Sequence, residues 1–220
     1  MIDSPLSTSA AFALGPVTVT WPVVVTWGII ALLGLGAALA TRRLSPTPGR
    51  AQAVLELIVV ALDSEIKATI PGDPGRFRAL IGTLLLFILC ANWSGLVPGV
   101  EPPTAHLETD AALAVVVFAA GIGWGLREQG LRGWLATFAR PSWVMIPLNL
   151  VEQVTRAFSM MVRLFGNVMS GVFVISIVGA LAGLLVPIPL MALDMLTGAV
   201  QAYIFAALAL VFIGSSVSGE

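Results

Sequence analysis

Long apolar stretches, separated by short polar or proline-rich segments, dominate the pattern of this 220-residue chain. Runs of about 18 or more apolar residues are typical of helices that cross a bilayer. The pattern therefore predicts an all-α integral membrane protein with about five transmembrane helices. The predicted spans are residues 21–40, 77–97, 111–126, 144–186 and 190–213.

The apolar stretch at 144–186 is too long for one upright span. As a helix it would measure about 64 Å, which is about twice the hydrocarbon thickness of a bilayer. Because no proline or polar turn interrupts it, one long tilted helix is favoured over two spans, with Gly166 or Gly171 as the place of any kink. Pro187 and Pro189 are expected to break it before the last span.

The segment at residues 51–69 differs from the five spans. Its apolar residues recur at helical spacing, but Glu56, Asp63, Glu65 and Lys67 interrupt them. This amphipathic pattern predicts a helix that lies on the membrane surface.

Apart from Arg156 and Arg163 on the long helix, the basic residues lie in two of the connections between spans. The positive-inside rule places such connections in the cytoplasm. With five spans, the N-terminus is then predicted outside and the C-terminus inside. The basic residues of the two connections are Arg42, Arg43, Arg50, Lys67, Arg76 and Arg78 in the first and Arg127, Arg132 and Arg140 in the second.

Composition supports a membrane protein and removes several classes of function. Hydrophobic residues make up 58% of the chain and charged residues 10%, against about 25% charged in soluble domains. There is no glycine-rich phosphate loop, and His106 and Cys90 are the only residues of their kinds. We therefore expect no nucleotide hydrolysis on this chain, no metal site, no cofactor and no nucleic-acid partner. Membrane lipid is the expected surrounding.

Polar side chains form a stripe along one face of the long helix. Their spacing of three or four residues places them on that face. Glu152 and Arg156 can neutralise each other, but Arg163 has no acid three or four residues away. A charged residue at the bilayer centre costs about 2.5–3.5 kcal/mol, and such residues usually mark ion pathways. The stripe consists of Asn149, Glu152, Arg156, Ser159, Arg163, Asn167 and Ser170.

The last span supplies possible neighbours for Arg163. Asp194, Thr197 and Gln201 also lie on one helix face. The two helices would face each other across the turn at residues 187–189, but Gln201 reaches Arg163 only if the pair is offset or the turn is wide. The alternative for the whole stripe is a buried polar seam that fixes helix register.

Several motifs resemble one known family. RLFGN at 163–167, followed by Ser170-Gly171, resembles the RLFGN…G signature of the a subunit in the membrane sector of F-type ATP synthases. QAYIF at 201–205 resembles the family's LQAFIF motif. PTPGRAQAVLELIV resembles its surface helix, and ANWSGLVPG with PPTAHLETDAALA resembles its NLLGLIPG…SPTADLNVTLALA region. The likeness extends over about residues 46–213, in order.

The resemblance implies a stator in a bacterial inner membrane. Such a subunit holds two half-channels against a rotating ring of c subunits, together with a b-subunit peripheral stalk and a nucleotide-binding head. The arginine matching Arg163 would face the ring's carboxylates, which it attracts by about 4 kcal/mol at 4 Å and an effective dielectric near 20. Unlike lysine, arginine cannot lose its charge. The ion would most simply be a proton.

The same resemblance divides the predicted single membrane domain, residues 1–220, into four parts. They are the N-terminal tail with the first span (1–45), the interfacial helix (46–75), a helical hairpin (76–126) and the ion-channel helices (127–220). A long hairpin, about 144–186 and 190–213, would face the c-ring.

The ion pathway follows from matching and departing positions. Asn167 and Gln201 match the polar residues beside the family's arginine, and Ser159 and Ser170 share their stripe. Val172 replaces a frequent acid, and Asp194 replaces a frequent histidine. The outer path would then use Asp194 with His106, Glu108 or Asp110 at its mouth, where His106 replaces an aspartate, and the inner path would use Glu152. His106 could equally be a solvated loop histidine with no part in the path.

Three other interpretations remain open from the sequence. One is a sodium-translocating variant of the same complex. Another is a secondary transporter, although such proteins more often show internal repeats and broken helices. The third is a structural membrane subunit, which would not need Arg163.

Overall fold

A computed structural model gives the fold of this chain. The structure describes residues 10–14, 17–42, 49–70, 72–97, 99–138, 143–183 and 186–218. Arg43 and Arg140 of the two basic connections lie outside these ranges.

Six helices make up the body of the protein. Five of them are long and apolar enough to cross a membrane, which confirms the predicted number of spans. The sixth, α2, corresponds to the predicted surface helix and is not among those five. The helices are α1 (Trp21–Thr41), α2 (Arg50–Thr69), α3 (Gly75–Ser94), α4 (Leu107–Phe138), α5 (Ile146–Ala182) and α6 (Pro187–Ser218).

A small β-structure precedes the helices, and the hydropathy pattern did not predict it. Strand β1 (Ala10–Leu14) pairs antiparallel with β2 (Val17–Thr20). The second strand is rich in Val and Thr, the β-branched residues that favour extended backbone. The membrane-spanning body remains all-α.

Helix α5 is one uninterrupted helix, as the sequence predicts, and the alternative of two upright spans is wrong. Helix α6 begins at Pro187, three residues before the start expected at about Leu190. The reason lies in the backbone of proline. The first turn of a helix has no partner for its N–H groups, so Pro187 and Pro189 fit there without losing a hydrogen bond.

Helix α4 extends beyond the predicted third span, 111–126, at both ends. It starts at Leu107 and continues past a kink at Gly130, whose φ of 69° lies in the left-handed region. Only glycine adopts that conformation readily. The basic segment after the span is therefore a helix that changes direction and not a loop.

Helix α6 lies at the centre of the bundle, in contact with α2, α3, α4 and α5. Its residues Ala202, Ala209 and Ile213 are fully buried. Two glycines of α4 let it approach closely: a Cβ at Gly121 would lie 2.6 Å from the Phe212 ring, and one at Gly125 would lie 2.9 Å from the Ser216 carbonyl oxygen. Small residues four apart are a common way to pack membrane helices.

Polar bridges tie the helices together at one end of the bundle. The guanidinium of Arg78 donates two hydrogen bonds of 2.6 Å to the Asp63 carboxylate, which joins α3 to α2. Arg76 reaches Glu128 of α4 at 2.5 Å. The Gln129 amide donates to the carbonyl oxygens of Ser216 and Val217 at the end of α6.

Candidate functional site

The register between α5 and α6 determines which polar groups can meet. Pro187 lies 3.6 Å from the Cβ that a side chain at Gly179 would have. The carboxylate of Asp194 lies against Gly171, so closely that a Cβ there would overlap it. The two helices therefore run antiparallel, with Gly179 level with Pro187 and Gly171 level with Asp194. They are offset at the turn, because α5 continues to Ala182, beyond the level at which α6 begins.

This offset brings Arg163 and Gln201 to the same level. Arg163 lies eight residues before Gly171, and Gln201 lies seven residues after Asp194. Gln201 is buried, whereas Arg163 is exposed. Arg163 lies about 80° around α5 from Gly171. The sequence left open whether these two residues could be neighbours, and the offset makes it possible.

Arg163 borders a groove of about 240 Å³ between α5 and α6. Among the described residues no hydrogen bond or ion pair reaches its guanidinium. The other side chains of the groove come from the same two helices: Arg156, Ser159, Met160, Leu208, Val211 and Phe212.

The rest of the polar stripe lies on the outside of the bundle. Glu152, Ser159 and Ser170 are exposed, and Asn167 is half-buried. Glu152 and Arg156 form the expected i,i+4 ion pair, with 2.5 Å between Oε1 and an arginine nitrogen. Within the part of the chain that the structure describes, the stripe is therefore not a buried seam.

Asp194 is half-buried at the contact between α5 and α6. The missing side chain of Gly171 provides the space for its carboxylate. The hydroxyl of Thr197 donates to the backbone carbonyl oxygen of Asp194 at 3.1 Å, so this hydrogen bond does not involve the side-chain carboxylate.

A buried chain of hydrogen bonds lies one turn further along α6. The Thr104 hydroxyl donates to Oδ1 of Asn92 at 2.7 Å, and Nδ2 of Asn92 donates to the Gly198 carbonyl oxygen at 2.8 Å. Trp93 donates to the Met195 carbonyl oxygen at 3.1 Å. These bonds fix the end of α3 and the 3-10 turn Pro103–Ala105 against α6.

Asp110 and His106 follow directly on that turn. Asp110 is fully buried, and neither of its carboxylate oxygens has a hydrogen-bond partner. Nε2 of His106 is also buried without a hydrogen-bond partner. The nearest acid is Glu101, whose Oε2 is 3.6 Å from that nitrogen.

The structure thus separates the predicted site residues into three places. Arg163, Ser159, Asn167 and Ser170 lie on the exposed stripe with Glu152, while Gln201 and Asp194 lie on α6 against α5. His106 and Asp110 lie in the buried cluster at the start of α4. Sequence reasoning missed Asn92, Thr104 and Gly171. An asparagine inside an apolar span was the available signal for the first. Gly171 belonged to the RLFGN…G resemblance, which did not indicate its contact with Asp194, and nothing marked Thr104.

Five spans, one of which carries an arginine that pairs with no described residue, define a multi-pass membrane protein that keeps charged groups within its helices. Comparisons make the class specific. The family described as ATP synthase A chain matches residues 23–214. The chain belongs to this family, and so it is a subunit of the membrane sector of an ATP synthase.

Relatives agree with this assignment. An ATP synthase subunit a 2 of Bradyrhizobium sp. strain BTAi1 is 54% identical over 217 residues, which cover 99% of this chain and 97% of that protein. Another subunit a 2, from Pelobacter propionicus, is 42% identical over 96% of this chain and 92% of its own length. A subunit a of Albidiferax ferrireducens is 41% identical over 84% of this chain and 81% of its own. The chain is accordingly a multi-pass protein of a bacterial inner membrane.

Proposed function

We propose that this chain is the stator of a rotary ATP synthase and conducts protons through two half-channels against a ring of c subunits. The observation that carries the proposal is Arg163: an exposed cation without a partner among the described residues, at the level of Gln201. A charge in that position needs an external counter-ion. A ring that presents one carboxylate after another would supply it.

Arg163 has two tasks in this mechanism. Its fixed positive charge stabilises the ionised form of each passing carboxylate, which must then release its proton. It also repels cations that would otherwise leak directly between the two half-channels. Asn167 and Gln201 would orient the guanidinium by hydrogen bonding, since both lie within about one helical turn of its level.

Two paths would lead to opposite sides of Arg163. The groove beside Ser159 and the exposed Glu152–Arg156 pair support an inner path from the cytoplasm. Asp194, half-buried against Gly171, supports an outer path from the other surface. The expected orientation, with the N-terminus outside and the C-terminus inside, agrees with an odd number of spans.

The other parts of the complex would have ordinary roles. The c-ring would cover the stripe, a b-subunit stalk would hold the stator in place, and the nucleotide-binding head would make or hydrolyse ATP. The four-part division of the chain at residues 45, 75 and 126 is kept as part of this proposal.

The test is substitution of Arg163 in the whole complex, reconstituted in vesicles. Arg163→Ala should abolish ATP-driven proton uptake, because nothing would ionise the ring carboxylates. Arg163→Lys should fail too or nearly so, since an ammonium group can lose its proton near an apolar ring. Co-purification of the c subunit checks assembly, and normal pumping by the Ala variant would refute the proposal. ATP-driven uptake of sodium ions that resists a protonophore would instead identify the sodium-translocating variant.

A further inference from the structure

Helices α2, α3 and α6 enclose a second groove, which the proposed ion path does not use. Its volume is about 320 Å³. It is separate from the groove beside Arg163, although Val211 of α6 contributes to both. Apart from Glu65, Thr69 and Tyr203, its lining consists of aliphatic side chains. Such a surface suits the hydrocarbon part of a ligand and not an ion or a row of water molecules.

The length of the groove matches one leaflet of a bilayer. Thr69 lies level with Gly214, since its Cγ2 is 3.8 Å from the position that a Cβ would take at that glycine. Tyr203, the lining residue of α6 furthest from this level, comes eleven residues earlier, or about 16 Å along the helix axis. Half of the hydrocarbon core of a bilayer is about 15 Å thick. The groove therefore extends over the depth that one acyl chain occupies.

The width of the groove matches a single acyl chain. Its volume over that length corresponds to a mean cross-section of about 20 Å², or a width of about 5 Å. Carbon atoms in contact are about 3.5–4.0 Å apart, so one methylene chain fits. An α-helix with its side chains is about 10–12 Å across and does not fit. The groove therefore suits a lipid chain better than a helix of another subunit.

An acidic side chain lies at the polar end of the groove. Glu65 is one turn before Thr69, and the Asp63–Arg78 ion pair is two residues away from it on α2. The Thr69 hydroxyl donates to the backbone carbonyl oxygen of Glu65 at 3.1 Å and so does not involve its carboxylate.

The Glu65 carboxylate has a charge to offer to a ligand. Among the described residues no ion pair or hydrogen bond reaches it. Lys67 lies two residues further along α2 and so on another face of that helix. An acid at the end of an apolar groove attracts a cationic headgroup and repels an anionic one.

We propose that this groove holds one acyl chain of a phosphatidylethanolamine molecule, whose ammonium group pairs with Glu65. The second chain of this lipid stays among the surrounding lipids, and its phosphate group faces the water. The inference goes beyond the proposed function and does not rest on it, because none of the groups proposed for ion transport is needed. It requires only that the chain lies in a membrane.

Photoactivatable lipids test the site in the whole complex. The complex is reconstituted in vesicles of a neutral glycolipid that contain a small amount of one probe. The probes are phosphatidylethanolamine and phosphatidylglycerol, each with a diazirine at the end of one acyl chain. After illumination and digestion, adducts on the α6 peptide that contains Tyr203 are measured by mass spectrometry. The phosphatidylethanolamine probe should give about two to five times more adduct, as expected for an exposed ion pair.

Substitutions of Glu65 separate headgroup recognition from general contact with lipid. Glu65→Gln should remove the preference between the probes, and Glu65→Lys should reverse it in favour of phosphatidylglycerol. Glu56→Gln is the matched control and should keep the preference of the wild type. Glu56 is exposed on the same helix, accepts a hydrogen bond of 2.8 Å from Gln52 and does not line the groove.

A second pair of variants tests the groove itself. Ala61 is an exposed residue of α2 that lines the groove, so Ala61→Phe adds a ring there without changing the buried core. It should lose most of the α6 adduct. Ala119→Phe adds the same ring at an exposed position of α4 outside the groove and should keep the adduct. Co-purification of the c subunit confirms assembly of each variant.

Each outcome supports or overturns the lipid site. Equal labelling of α6 by the two probes in the wild type would overturn it, and so would a preference that survives Glu65→Gln. An adduct that Ala61→Phe leaves unchanged would mean contact with ordinary bilayer lipid only. No adduct on α6 at all would mean that another subunit covers the groove, which also refutes the proposal. Because proton uptake is not the measurement, none of these results bears on the stator proposal.

Discussion

The carboxylate of Asp194 occupies the space that a side chain at position 171 would fill. Gly171 is therefore required by its neighbour and not by its backbone, which is ordinary helix. Its role could not be read from the RLFGN…G pattern alone, since helix glycines more often cost stability than serve a purpose.

Gly171→Ala should displace Asp194 and reduce ATP-driven proton uptake nearly as much as Asp194→Asn does. The reason is that a methyl group and the carboxylate cannot share the same volume. Gly179→Ala is the matched control on the same helix, because its Cβ would meet Pro187 at an ordinary 3.6 Å. Uptake in vesicles is the measurement. Equal activity of the two alanine variants would mean that Asp194 is not held by Gly171, and unimpaired Asp194→Asn would place the outer path elsewhere.

At the scale of elements, the close approach of α4 and α6 depends on glycines that the sequence pattern did not single out. Gly121 and Gly125 face α6, whereas Gly123 between them faces open space. This alternation follows from the helical repeat, since residues four apart share a face and residues two apart do not.

Gly125→Ala should destabilise the α4–α6 contact, and Gly123→Ala should not. The new Cβ at position 125 would lie 2.9 Å from a backbone oxygen of Ser216, which cannot rotate away. Overpacking of this kind typically costs about 1–3 kcal/mol. Thermal unfolding of the purified complex measures the effect. A melting temperature of the Gly125→Ala complex equal to or higher than that of the Gly123→Ala complex would contradict this packing.

Hydropathy and spacing predicted the number of spans, the single long helix and the Glu152–Arg156 pair, because these depend on local sequence. The offset of α5 against α6 depends on side-chain shape at Gly171 and Gly179, to which helix periodicity is blind. The Thr104–Asn92–Gly198 bonds join residues far apart in the chain, so no local pattern announces them. The roles of the site residues stay predictions.

At the scale of the whole molecule, one side of the bundle carries both the polar stripe and an apolar surface. Val174 and Ile177 of α5 are exposed on the same helix face as Arg163. The face of α5 that lies about 100–140° around from Arg163 is packed, since Leu164 is fully buried and Val168 is 4% exposed. The face that carries the stripe can therefore receive a partner, whereas the packed face cannot.

Cysteines on the stripe should therefore cross-link to the c subunit, and cysteines on the packed face should not. Ser159→Cys and Ser170→Cys test the stripe, and Leu164→Cys and Val168→Cys are the controls. Each is made in a Cys90→Ala background and paired with a cysteine on the outer helix of the c subunit. Adducts are read by gel mobility after oxidation. Efficient links from positions 164 and 168 would mean that the ring lies on the other side.

The exposed Arg163 also affects the life of the chain before it is assembled. A newly inserted copy would present this charge to lipid, at a cost of about 2.5–3.5 kcal/mol, until a protein surface covers it. Assembly therefore lowers the free energy of the chain by covering Arg163, the same residue that we propose for ion transport. A charge facing lipid would distinguish an orphan copy from a finished one, and so the stripe would also serve as a mark for cellular quality control.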